Sequence, residues 1–189
     1  MIFMSHLKEI YVSVDVETSG PYPGKYSMLS IGACTVLEPY STFYVEIQPL
    51  NEERDPEAMQ VTGLIWAKLK TLGKPPAEAM QAFADWTAGC TPPDARPIFA
   101  AFNAPFDWSF VNHYFLTCLG QNPYGHNALD MKAYYMGLTG CDWAATSMQA
   151  VTRRYLGERS LTHHALRDAL DQAELFRRML AEAQAGPSS

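Results

Sequence analysis

The sequence has no Cys-x-x-Cys pair, no internal repeat, no apolar run long enough to cross a membrane, and fewer basic than acidic residues. Each shortage excludes something. The four cysteines, Cys34, Cys90, Cys118 and Cys141, lie too far apart in sequence to suggest a structural zinc site. A chain of this size does not depend on a disulfide framework, so reduced, mostly buried thiols are expected. The apolar runs stop well short of the ~18 residues of a membrane span. The opening MIFMSHLKEI lacks the basic-then-apolar order of a secretion signal. A cytoplasmic protein with no membrane partner is the expectation. With 14 Lys and Arg against 20 Asp and Glu, the formal charge is −6. That balance disfavours a broad basic surface holding long nucleic acid, but it leaves room for local engagement of a short stretch.

What is present is enough for a folded domain. The chain has 189 residues, of which 48% are hydrophobic and 12% aromatic, and a chain of this mass can bury roughly 70% of its unfolded surface. No Gly-, Ser- or Pro-rich linker divides it. The reading is an extension over residues 1–8, one domain over 9–183 and a disordered tail over 184–189.

Residues 9–17 (EIYVSVDVE) alternate in polarity and are rich in β-branched and aromatic side chains, which predicts a strand. A loop with closely spaced Gly and Pro follows over 18–25. Two further strands are predicted over 27–37 and 42–48, forming an antiparallel meander with the first. Helices are predicted over 55–62 and 75–87, the second with Pro in its first turn. A buried strand over 97–102 and a helix over 105–119 come next. Residues 127–130 predict a short fifth strand, and helices over 131–137, 147–155 and 165–183 complete the chain. Strands first, then strand and helix alternating, indicate an α/β domain with a mixed sheet.

Asp15 and Glu17 stand two apart at the end of the first strand. Such side chains share one face, with Cα atoms ~6.6–7 Å apart, and two carboxylates there can hold a hard cation through oxygen. The pair alone says little. Nine Asp and eleven Glu in this chain give roughly 0.5 chance Asp-x-Glu matches, and a solvated strand end explains the pair as well. A second match, Asp55-Pro56-Glu57, has a proline that disfavours an inner strand, so its acids suit a helix N-terminus. Asp107 sits in the first turn of a predicted helix, where an acid also complements the dipole. His163 and Asp168 sit at the entrance of the last helix, which is open to the same reading.

Taken in order, VDVETSG, FNAPFD and HHALRDA resemble the DEDDh 3′–5′ exonucleases, a family that includes polymerase proofreading subunits, ribonuclease T and oligoribonuclease. The resemblance covers about residues 9 to 180. Asp15, Glu17, Thr18, Ser19 and Gly20 match the first motif. Asn103, Phe106 and Asp107 match the second, and His163 with Asp168 the third. His164 is one residue out of register and is read as a neighbour. Two positions depart from the pattern: Phe102 stands where many members have His, and Thr62 stands where His is usual after DPEAMQV.

The resemblance implies a ribonuclease H-like fold, a five-stranded mixed sheet flanked by helices. It implies hydrolysis of single-stranded or short DNA or RNA from the 3′ end to nucleoside 5′-monophosphates. Two divalent cations, Mg²⁺ or Mn²⁺, are expected at Asp15, Glu17, Asp107 and Asp168, with His163 as general base. The terminal nucleotide is expected beside the first motif, with backbone near Thr18 meeting the 3′-OH and Asn103 close by. Met28 and Leu29, or Tyr22 and Tyr26, are candidates to stack on or wedge the last bases. Arg153, Arg154 and Arg159 are candidates for backbone contacts, or else a solvated helix end. A homodimer remains open. Two rival readings are a non-catalytic partner-binding domain of the same fold and a small-molecule phosphodiesterase or nucleotidase.

The charge is unevenly placed. Residues 1–150 carry 8 basic and 15 acidic groups, or −7, and residues 151–189 carry 6 and 5, or +1. Four acids committed to one cation site make the negative sign compatible with a nucleic-acid substrate gripped at its end.

Overall fold

The structure, a computed structural model, describes residues 7–157 and 162–186. Five strands, β1 (Lys8–Thr18), β2 (Met28–Thr35), β3 (Thr42–Glu46), β4 (Ala95–Ala101) and β5 (Ala128–Asp130), form one sheet in the order β3-β2-β1-β4-β5. The first three strands are the expected antiparallel meander. β4 and β5 then join parallel to β1, so the sheet is mixed. The helices are α1 (Pro56–Thr62), α2 (Trp66–Leu72), α3 (Pro76–Cys90), α4 (Ala104–Leu119), α5 (Met131–Thr139), α6 (Met148–Leu156) and α7 (Ala165–Ala185).

The alternation of β1 divides the molecule into two layers. Val12, Val14 and Val16 point to one face and pack with Met80, Phe83, Phe110, Val111 and Phe115 of α3 and α4. Ser13, Asp15 and Glu17 point to the other face, across which α7 runs over β1 and β2. On that side Cys34, Val36, Ala100 and Phe102 pack with Val151 of α6 and with Ala173, Leu175, Phe176 and Met179 of α7. The carboxylates of β1 are therefore directed toward a helix rather than into the aromatic core.

Two short elements escaped the sequence reading. α2 follows Ile65, which gives it no side-chain cap, and a single-turn 3-10 helix spans Trp143–Thr146. Both are too short for periodicity to register. β1 begins one residue earlier than expected, and α7 runs two residues into the segment read as a tail. Asp55 caps α1 by accepting from Glu57 N–H and Ala58 N–H, so the second Asp-x-Glu pair is structural, as expected. No helix among the described residues is long and apolar enough to cross a membrane.

Candidate active site

Parallel β1, β4 and β5 end on the same edge of the sheet, and the candidate site residues collect there. Oxygens of Asp15 and Glu17, from β1, and of Asp168, from the first turn of α7, all lie within 4.8 Å of one another. The alternation of β1 supplies two of these carboxylates and the start of α7 the third. That start lies against β2 because of Gly32, the cross-strand partner of Asp15. A Cβ on Gly32 would meet the backbone of Ala165 and Leu166 at 2.1 Å. Any larger residue would hold the Asp168-bearing turn away from Asp15.

Asp107 arrives from the opposite layer. It is buried in the first turn of α4, and its Oδ1 accepts a hydrogen bond from Val16 N–H at 3.0 Å. Asn103, just before α4, has φ 65°. Asn tolerates this left-handed conformation better than most residues, which gives the motif Asn a local reason to be there. Its side chain makes no cap hydrogen bond and is exposed. Asp168 is also fixed, accepting from Thr162 N–H at 3.0 Å and Thr162 Oγ1 at 3.1 Å.

His163 is exposed, with φ 51°, immediately ahead of α7. Its neighbour His164 is partly buried and stacks on Tyr44, with centroids 4.8 Å apart. The two histidines thus have different environments: His163 opens to solvent, and His164 is packed onto the sheet.

One site residue went unread in the sequence. Gln172, one turn beyond Asp168, donates from Nε2 to Asp15 Oδ1 at 2.7 Å, and its Oε1 accepts from Phe102 N–H at 2.9 Å. Its i+4 spacing from Asp168 was the available signal, since it places both residues on one helical face.

Carboxylates packed this closely resist ionisation. Burial pushes Glu17 up to about 7, with the charge of Asp168 adding to the effect. Burial pushes Asp107 up to about 8, although the N–H groups of Val16 and of Asp107 itself act against this shift. Asp15 keeps some exposed surface, but burial of its carboxyl, then the charges of Asp107, Glu17 and Asp168, push it well above the usual range. Gln172 pulls the other way. A buried group of acids held at this cost is matched by cationic charge, and an all-oxygen donor set suits a hard divalent cation.

The loop after β1 is organised by the remaining motif residues. Thr18 Oγ1 donates to the Gly20 carbonyl, and Ser19 Oγ donates to the Glu53 carbonyl and accepts from Ser27 N–H. Gly20 lies under the Tyr26 ring, where a Cβ would come within 2.3 Å of a ring carbon. Tyr26 in turn meets Tyr22 edge to face at 5.3 Å. Tyr22 is 51% exposed, so the loop presents an aromatic surface.

Several substrate-binding expectations are corrected. Met28 and Leu29 are fully buried. β2 lies between β1 and β3 with both faces covered, so neither side chain can meet a base. Arg154 is held by Glu182 of α7 at 2.6 Å and lies over the Tyr155 ring, so it is not a free cation. Arg153 is exposed at the end of α6. Arg159 lies outside the described residues.

A five-stranded mixed sheet flanked by helices, with carboxylates from its first strand and two helix starts converging at one edge, is a ribonuclease H-like fold. The family model for Exonuclease (RNase_T) matches residues 12–176. A 3′-5′ DNA exonuclease of Escherichia coli, Cap18, is 49% identical over 170 residues, covering 90% of this chain and 91% of that protein. Among solved structures, the nuclease domain of 3′hExo, described as a DEDDh family member bound to rAMP, gives a TM-score of 0.78 at 15% identity, covering 96% of this chain and 94% of that one. Exonuclease I of Escherichia coli, in complex with a dT13 oligonucleotide, gives 0.71 at 16% identity and 94% coverage of this chain, which spans only 42% of that protein. The chain belongs to this exonuclease family, and it is a 3′–5′ exonuclease.

Proposed function

We propose that this exonuclease degrades single-stranded DNA from its 3′ end to nucleoside 5′-monophosphates, using two divalent cations, Mg²⁺ or Mn²⁺, held by Asp15, Glu17, Asp107 and Asp168. The observation that carries this is the gathering of Asp15, Glu17 and Asp168 oxygens within 4.8 Å of one another, with Asp107 tied to the same strand end. Bound divalent cations would supply an acidified water and charge neutralisation at the leaving oxygen. DNA is favoured because the relative at 49% identity is a DNA exonuclease.

The remaining chemistry belongs to the chain. Attack of water on the terminal phosphodiester forms a P–O bond and breaks the bond from phosphorus to the 3′ oxygen. His163 is the group to accept the proton released by water. Its exposed position, five residues ahead of Asp168, leaves the ring free to reach the reacting atom. Tyr22 and Tyr26 supply an aromatic platform beside the first motif for the last bases. Backbone near Thr18 faces the 3′-OH, and of the two described arginines of the cluster exposed Arg153, rather than Glu182-paired Arg154, serves the phosphate backbone.

The test uses 5′-labelled DNA and RNA oligomers with Mg²⁺, Mn²⁺ or EDTA, beside Asp15→Ala. A ladder shortening from the 3′ end, dependent on metal and absent from the variant, is expected, with DNA cut faster than RNA. Equal cleavage by wild type and Asp15→Ala defeats the reading of the site. Faster cleavage of RNA defeats the substrate assignment alone.

A further inference from the structure

We infer that Gln172 is a positioning residue for the cation site: it fixes Asp15 by tying it to the end of β4. The inference rests on the reading of the site given above. The paired stretch of parallel β1 and β4 ends at Ser13–Ala100. Beyond that point Phe102 N–H has no strand to donate to, and Asp15 lies on the neighbouring strand past the same divergence. Gln172 is 2% exposed and spans the gap. Its Oε1 accepts from Phe102 N–H at 2.9 Å, and its Nε2 donates to Asp15 Oδ1 at 2.7 Å.

The chemistry of the partners leaves one orientation for the amide. Phe102 N–H can only donate, so the amide oxygen must face β4, which leaves the amide nitrogen to donate to Asp15 Oδ1. A flipped amide would set donor against donor at Phe102. Donors and acceptors thus match along the whole chain from Phe102 through Gln172 to Asp15. Because Gln172 and Asp168 share a face of α7 one turn apart, the bond also sets the helix carrying one ligand against the strand carrying two. An outer partner that orients a metal ligand typically contributes 10–100-fold to metal affinity.

The test is Gln172→Met, close in shape but unable to make either bond, with Gln172→Ser as a second variant small enough to admit a water. Mn²⁺ binding by titration calorimetry, melting temperature without metal, and kcat and KM on a labelled DNA oligomer at saturating Mn²⁺ are measured. Mn²⁺ affinity is expected to fall about tenfold or more in Gln172→Met, with Gln172→Ser intermediate. The kcat should fall while KM for the oligomer stays within about twofold, since the substrate platform is untouched. Wild-type Mn²⁺ affinity and kcat in the folded variants, with only a lower melting temperature, would show a purely structural role and overturn the inference. If Gln172→Met does not fold, the comparison of Gln172→Ser with wild type decides. If wild type itself neither binds Mn²⁺ nor cleaves, the reading of the whole site fails rather than the role of Gln172.

Discussion

The carboxylate of Asp107 accepts a hydrogen bond from the backbone N–H of Val16, the residue between the two acids of the first strand, across 91 residues of sequence. Two motifs that are far apart in the chain thereby share one fixed geometry. The bond also separates the two roles of Asp107. In Asp107→Asn the side-chain oxygen can still accept from Val16, but the negative charge is gone. Activity should fall at least about 100-fold, or about 2.7 kcal/mol of barrier. The metal-free protein should melt no lower at pH 8, because a buried charge is removed. A large loss of melting temperature would show that Asp107 is mainly structural.

Stability of the metal-free protein should fall as pH rises. Glu17 and Asp107 are raised to about 7 and about 8 from the usual carboxylate range. Raised acids act opposite to the salt-bridged kind: below about pH 4 both folded and unfolded chains are protonated, so these groups cost nothing. Between about pH 4 and 8 the folded chain binds more protons than the unfolded one, so stability declines through that window. The melting temperature without metal should drop by about 10 °C or more from pH 5 to pH 8. The increase produced by saturating Mg²⁺ or Mn²⁺ should grow over the same range, since the cation binds the ionised acids. Calorimetric scans with EDTA and with metal check both slopes.

Gly32→Ala should damage the site from behind. The added methyl meets the α7 backbone at 2.1 Å, and neither the strand nor the helix can give that much without moving Asp168. Overpacking of this kind costs about 1–3 kcal/mol, and cleavage should fall with it. Gly89 of α3 has nothing within 4 Å of its would-be Cβ, so Gly89→Ala is the control and should leave activity unchanged. Urea unfolding and cleavage assays on both variants give the comparison.

The two adjacent histidines should separate cleanly. His163→Ala should lower kcat by about 10²–10⁴ with little change in melting temperature, as expected for an exposed general base. His164→Ala should instead lose the stack on Tyr44, about 0.5–1.5 kcal/mol, and keep most of its activity. Reversed phenotypes would move the base to His164.

Tyr22→Ala should raise KM for a single-stranded oligomer while leaving kcat and melting temperature nearly unchanged. Stacking of one base on an aromatic ring contributes about 1–3 kcal/mol, and an exposed ring contributes little to folding. Steady-state kinetics on a short oligomer measure it. An unchanged KM would remove the loop from the substrate path.

The sequence by itself determined the layers and, through its motif resemblance, the candidate residues of the site. The alternation of EIYVSVDVE sent Asp15 and Glu17 to one face and three valines to the other. The motif order brought Asp107 and His163–Asp168 into consideration, and Asp55 declared itself a cap through its proline. These features are local, because strand and helix periods fix which face a side chain takes. What lies opposite that face is decided only by packing. Met28 and Leu29 read as candidates to stack on or wedge the last bases, but neighbours on both sides of β2 buried them. Arg154 read as a backbone contact or a solvated helix end, but α7 brings Glu182 alongside it. Gln172 and Gly32 carried no motif, and their roles arise only where α7 crosses β1 and β2. The motif resemblance singled out the acids, the period of β1 set the face that Asp15 and Glu17 take, and the crossing of one helix over two strands set their spacing.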